Sequence, residues 1–399
     1  MTTKIRPSAL IRVSGGPRYA AAMAVDALGT GLLRPFLLIY GVTVLGLSAP
    51  ATGAAMTAGV VAGLGCLPLV GRWLERGART TVVAASMLVR AIGVVVLLAA
   101  PAGEVWTFVG AAILLSAGNQ AWPAAHAALV ATLAEGRQRD AALAAGRSLR
   151  NAALGIGALL ATACLAGGAN ALRAMAIGTG IAYLIAAALA WSVHLRAPAA
   201  VAEPVAESAP RMGALLAANV VYAFCLNVPE IALPLVLTAY LHASPAWSAA
   251  IFVANTVLVV ALQVPVTVLL SRVSRRTALA GGGVVLALSY LGFLAATSLG
   301  SGWAAPAIAA VSVVCTIGEI IYAGSATAFV MAQAPARLLG RAVARFELST
   351  GVGLAISPAV LTALAPLGPG ALWGGLAGAT LVSAGAVAGG GGAGPKLSQ

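Results

Sequence analysis

The feature that most limits what this chain can become is an apolar run that returns twelve times. The runs cover approximately residues 19–45, 51–70, 80–100, 105–132, 147–166, 170–193, 213–241, 247–270, 277–298, 303–333, 342–364 and 370–388. Each is near the roughly 20 residues a helix needs to cross the hydrocarbon of a bilayer. Their periods are helical and their lengths exceed those of barrel strands, so an all-α membrane protein is expected. Charge agrees, because only 8% of the residues are charged against about 25% in a soluble domain.

The net charge of +13 takes its meaning from position. Twenty of the 23 basic residues lie in or beside alternate connections: Lys4, Arg6, Arg12 and Arg18; Arg72, Arg76 and Arg79; Arg137, Arg139, Arg147 and Arg150; Arg196 and Arg211; Arg272, Arg275 and Arg276; Arg337, Arg341 and Arg345; and Lys396. By the positive-inside rule, both termini and the central connection face the cytoplasm. The basic excess therefore signals topology, and nucleic acid is not an expected partner. No cleavable signal peptide is expected. Two lysines against 21 arginines, with abundant alanine and glycine, suggest a GC-rich bacterium and hence its cytoplasmic membrane. Cys66, Cys164, Cys225 and Cys315 fall in four different runs without metal-ligand spacing, and read as small buried hydrophobes.

One polar stretch, "HLRAPAAVAEPVAESAPRMG" at 194–213, divides six runs from six. The expected organisation is an N-terminal half at 1–193, a cytoplasmic loop at 194–212, a C-terminal half at 213–388 and a flexible tail at 389–399. The halves are weakly similar at an offset near 200. "LPLVGRWLERGART" (67–80) aligns with "VPVTVLLSRVSRRT" (264–277), and Tyr40 falls on Tyr240. A parallel repeat of this kind places a substrate site near the midplane.

Six runs plus six, a long central loop and "GRWLERGAR" between the second and third runs resemble the major facilitator superfamily. The loop signature of that family is matched at Gly71, Glu75, Arg76 and Arg79, with Glu75 in place of the usual aspartate and Ala78 in place of the second glycine. The resemblance implies twelve transmembrane helices in two pseudo-symmetric six-helix halves, with this loop acting as a cytoplasmic gate. "DALGTGLLRPFLLIY" (26–40) and "TIGEIIY" (316–322) are further similar to the drug:proton antiporter group. The fifth run lacks that group's proline, and Asn119 stands near where the group often has arginine.

Of ten acids, Asp26, Glu230 and Glu319 fall inside the runs. An ionised carboxylate at the bilayer centre costs about 2.5–3.5 kcal/mol on insertion scales, so it turns toward the bundle interior. Ser312, Thr316, Glu319 and Tyr322 share one helix face. Glu319 is the first candidate for proton coupling and Asp26 the second. For both, a structural carboxylate paired with a neighbouring helix is the other reading. Glu230 lies toward the outer end of its run, where a solvated or gating role is expected. Arg90 is a counter-charge available to any of these acids. Arg34, Tyr40, Arg90, Asn119, Gln120, Asn151, Asn227, Glu230, Asn255, Gln263, Thr316 and Tyr322 are the candidate cavity residues. The polar ones also fit interhelical hydrogen bonds, typically worth under about 2 kcal/mol. His126 is read as a packing residue more than a functional one.

No nucleotide loop, metal-spaced histidine pair or hydrolase triad is present in the sequence, and no repeated filter segment suggests a channel. The expectation is therefore not an enzyme. It is a monomeric, proton-coupled exporter of hydrophobic or cationic small molecules, with no cofactor beyond the proton gradient. Its partners are protons, a small-molecule substrate and the lipid bilayer. A nutrient uptake symporter is the alternative within transport, and a non-transporting scaffold or receptor the alternative outside it.

Overall fold

The computed structural model describes residues 15–164, 167–193, 212–300 and 302–389. Most of the expected central loop and tail, together with Lys4, Arg6, Arg12, Arg196, Arg211, Glu203, Glu207 and Lys396, therefore lies outside the described residues. The described residues form helices and no strand. Twelve long helical segments follow one another: α1 (Gly16–Thr43), α2 (Ala49–Glu75), α3 (Arg79–Ala99), α4 (Val105–Leu133), α5 (Gly136–Cys164) and α6 (Gly168–Trp191). After the central connection come α7 (Gly213–Thr238), α8 (Pro245–Leu270), α9 (Arg275–Thr297), α10 (Ala304–Gln333), α11 (Leu339–Leu364) and α12 (Gly370–Gly389).

Ten of these are long and apolar enough to cross a membrane, α4 and α5 being the two that are not. Both span 29 residues, but Asn119, Gln120 and His126 lower the hydropathy of α4, and Arg137, Arg139, Asp140, Arg147 and Arg150 that of α5. The sequence reading began the fifth run at residue 147. The helix begins at Gly136, about three turns earlier, and along that added stretch Asp140 is buried while Arg137 and Gln138 are exposed.

Caps set several of the helix starts. Ser48, Ser244 and Ser274 accept backbone N–H groups of Ala51, Ala246 and Thr277, and Glu104 caps α4 through Trp106. Proline interrupts the first helix of each half. In α1 a 3-10 turn at Arg34–Phe36 contains Pro35. From Ala223 in α7 to Tyr240 just beyond it, 3-10 and π turns with a short α turn at Leu233–Leu235 follow one another around Pro229 and Pro234.

Two compact units result. One holds residues 1–207 with 334–348, and the other holds 208–333 with 349–399. The first turns of α11 thus group with the first unit. In the first unit α1 packs on α5 and α6, α2 and α3 pack on α4, and α3 packs on α6. In the second, α7 packs on α12, α8 and α9 pack on α10, and α9 packs on α12. Four of the first unit's five pairings thus recur six helices further on, so the weak sequence repeat is a repeat of packing.

Between helices in lipid, small residues set how closely backbones approach. At the α1–α5 crossing, a Cβ on Gly31 would run into the Leu154 carbonyl and approach the Ala158 nitrogen at 3.0 Å. A Cβ on Gly157 would run into the Leu28 carbonyl. Neither obstacle is a side chain that can rotate away. Gly31→Val is expected to cost about 1–3 kcal/mol through overpacking, read as a lower melting temperature in detergent. Gly110→Ala, where nothing lies within 4 Å, should leave the melt unchanged.

Candidate functional site

In the first unit the buried polar groups converge on Asp26, which is 0% exposed on α1. Its Oδ1 is paired with Arg90 Nη2 of α3, and its Oδ2 lies 3.1 Å from Arg150 Nη1 of α5. Of the two readings of Asp26 left open by sequence, an Asp–Arg link between helices is the geometry present. Arg90 is held on every side. Its Nε donates to the Ser86 carbonyl at 3.2 Å and its Nη1 to Thr30 Oγ1 at 3.3 Å, while its guanidinium lies 4.6 Å from the centre of the Tyr183 ring. Gly118 of α4 makes room for this side chain, because a Cβ there would meet Arg90 Cγ at 2.6 Å.

Arg150 is the residue that sequence reasoning missed. Sequence groups it with the basic residues in or beside connections; in the structure it lies within α5, donates to Asn119 Oδ1 at 3.4 Å and covers the Trp122 ring at 4.3 Å. Its spacing of three from Arg147 put both on one helix face, and that was the available signal. Trp122 in turn stacks on His126 with ring centres 4.9 Å apart, and Tyr19 hydroxyl and His126 Nδ1 are 2.9 Å apart. His126 is thus a packed, hydrogen-bonded residue.

Beside this cluster lies a cavity of about 130 Å³ inside the first unit. Arg34, Arg90, Asn119, Gln120 and Tyr183 supply polar groups to its wall, and Leu33, Leu37, Met56, Val60 and Leu115 supply apolar ones. No carboxylate lines it. Arg34 stands on the 3-10 turn that interrupts α1 and is exposed. Tyr40 is elsewhere, 1% exposed in an apolar core with Leu37, Leu45 and Phe108. Asn151 follows Arg150 on α5 and is half-buried.

Polar groups of the second unit form a separate network. Asn255 Nδ2 of α8 donates to Glu319 Oε2 at 2.9 Å and to Thr316 Oγ1 at 3.0 Å on α10. Further along the same helix pair, Gln263, 0% exposed, reaches Thr267 and the Ile320 carbonyl, each at 3.4 Å. Tyr322 donates to Asn219 Oδ1 at 2.8 Å, and Asn219 Nδ2 reaches Ser349 and Thr350 of α11, also at 2.8 Å. Asn219 is a second residue not foreseen, although a lone asparagine inside "LLAANVVY" was a visible sign. Asn227 donates to Ser357 Oγ at 2.6 Å. Glu230 is exposed on the first π turn of α7. Among the described residues, no three of His, Cys, Asp and Glu gather as a metal site would require.

At the end of α2, Glu75 Oε2 lies 2.9 Å from Arg341 Nε, within the part of α11 that belongs to the first unit. Gly71 permits that approach, since a Cβ there would stand 3.0 Å from Ala344 Cβ and 3.2 Å from Arg341 Cα. Arg76 is exposed, and half-buried Arg79 begins α3.

Residues 19–227 match the family model described as Major Facilitator Superfamily, just over half of the chain. Among solved structures the chain is similar to a bacterial homologue of the iron transporter ferroportin in an outward-facing state. The TM-score is 0.78 at 12% identity, covering 94% of this chain and 98% of that one. The same homologue with soaked iron gives 0.75 at 10% identity, over 93% and 97%. The human organic anion transporter MFSD10 (TETRAN) gives 0.74 at 12%, over 96% and 100%. At such identities these likenesses concern the fold alone. No curated protein matches the chain in sequence.

Asp26 and Glu319 thus stand in different surroundings. Asp26→Asn would leave two guanidinium groups in the interior without their counter-charge, which costs about 3–5 kcal/mol where a buried pair is broken. The expected result is a large loss of expression and of melting temperature. Glu319→Gln, which keeps an acceptor for Asn255, should melt close to the unaltered protein.

Proposed function

Because the chain belongs to the major facilitator superfamily, we propose that it is a proton-coupled secondary transporter that moves apolar small molecules outward across a bacterial cytoplasmic membrane. The observation that carries the coupling is the setting of Glu319. Its carboxylate sits half-buried midway along an apolar helix, and the neighbour bonded to Oε2 is the amide of Asn255. An amide N–H can donate to a carboxylate oxygen and equally to the carbonyl oxygen of the protonated acid. The contact therefore survives gain and loss of a proton, as a coupling group requires. Asp26, between two arginines, is better suited to holding α1, α3 and α5 together.

The fold neighbours do not choose the substrate, since one is a homologue of an iron transporter and another an organic anion transporter. Apolar cargo is favoured by the leucine, valine and methionine wall of the first-unit cavity. The cationic class expected from sequence is not favoured there, because two guanidinium groups and no carboxylate line that wall.

The Glu75–Arg341 pair fits a latch that is made in one state of the transport cycle and broken in another. Glu75→Gln should slow turnover several-fold in proteoliposomes while substrate affinity changes less than about twofold. Normal turnover would leave the motif as a topology signal only.

For coupling, two poorly permeant aromatic ions, benzenesulfonate and benzyltrimethylammonium, serve as probes in proteoliposomes. A pH gradient should drive accumulation of one of them by the unaltered protein. Glu319→Gln should lose that accumulation at least tenfold yet keep counterflow exchange at equal pH. Full gradient-driven accumulation by Glu319→Gln would return this residue to a structural role.

A further inference from the structure

Arg34 and Arg90 line the first-unit cavity, and no carboxylate does. Asp26, which does not line it, is shared by Arg90 and Arg150, so these three guanidinium groups carry a formal excess of two over that carboxylate. Arg90 and Arg150 are engaged with Asp26. Arg34 is not: no hydrogen bond or ion pair forms between it and the described residues, and it faces the cavity. Helix breaking puts it there, since Pro35 interrupts α1 beside it.

We infer that this cavity binds an organic anion, with Arg34 as the residue that takes the anionic group and Arg90 as the fixed positive floor. The inference rests on the transport reading and narrows its substrate to amphiphiles with an apolar body and one carboxylate, sulfonate or phosphate. Volume sets the size of the body. A cavity of about 130 Å³ is close to the 150 Å³ space that holds benzene in an engineered apolar site. A single aromatic ring or short branched chain therefore fits against Met56 and Val60. The anionic head then lies at Arg34, whose planar fork suits two oxygens at once, with Asn119 and Gln120 on the same wall. Charge selects the ligand here, and the apolar wall accepts its remainder.

The test uses three probes of one shape in phosphatidylcholine nanodiscs: benzenesulfonate, benzyl alcohol and benzyltrimethylammonium. Ligand-observed NMR should rank the sulfonate first by about tenfold or more. Arg34→Gln should remove that preference, and Arg34→Lys should retain part of it. Equal sulfonate affinity in Arg34→Gln and the unaltered protein overturns the inference, as does a preference for the cation. Should Arg34→Gln fail to fold, the ranking in the unaltered protein decides by itself. Repeating the titration with phosphatidylglycerol in the disc separates two sources of the same chemistry. Unchanged affinity assigns the site to a free solute, and an Arg34-dependent loss assigns it to a lipid headgroup. A protein that moves probe ions with Glu319 dependence but shows no sulfonate preference keeps the transport reading and loses this one. A protein that binds sulfonate through Arg34 and moves nothing keeps this one and loses the other.

Discussion

Lipid offers the peptide group nothing to bond with, and the rest of the molecule follows from that constraint. Each crossing segment must close its own hydrogen bonds, which selects the helix. Between helices there is no hydrophobic gain to drive association, so shape and polar contacts decide the packing. Gly31 and Gly157 let α1 lie directly on α5. The same few helix pairings are then used in each half.

Placing charge in such a medium needs compensation, and the two units solve this differently. In the first, Asp26 ties three helices through two arginines, each of which also rests on an aromatic face. In the second, Glu319 is held through a neutral amide on an adjacent helix. The first arrangement joins unlike charges, whereas the second gives a carboxylate an amide donor. That contrast separates the two acids by their surroundings more sharply than depth in the membrane does.

Much of the architecture was legible because bilayer thickness writes itself into sequence as runs of about 20 apolar residues. Glu319 was legible for the same reason, a single acid in a long apolar stretch being conspicuous. What escaped were features that depend on which face a helix turns inward. Arg150 was read with the charges in or beside a connection, because a polar turn of helix and a loop both lower hydropathy, yet it turns toward Asp26. The partner of Glu75 could not be found from its motif, since Arg341 lies more than 260 residues further along the chain. Tyr40 attracted notice through its alignment with Tyr240, yet it sits in an apolar core. Alignment marks equivalent positions without saying what surrounds them.

Gly118 has a consequence for how this protein can vary. The stem of Arg90 occupies the volume that any side chain at 118 would need, and the Ser86 carbonyl closes the space behind it. Glycine at 118 is therefore a precondition for arginine at 90 in this pose. A methyl group at 118 displaces the arginine and strands Asp26, whereas a shorter residue at 90 removes the charge and still leaves the Ser86 carbonyl in the way of any Cβ at 118. Relatives with this α3–α4 crossing must keep glycine there whichever residue stands at 90, and those that lose the arginine still need the aspartate for Arg150. The smallest of the three residues is thus the least free to change.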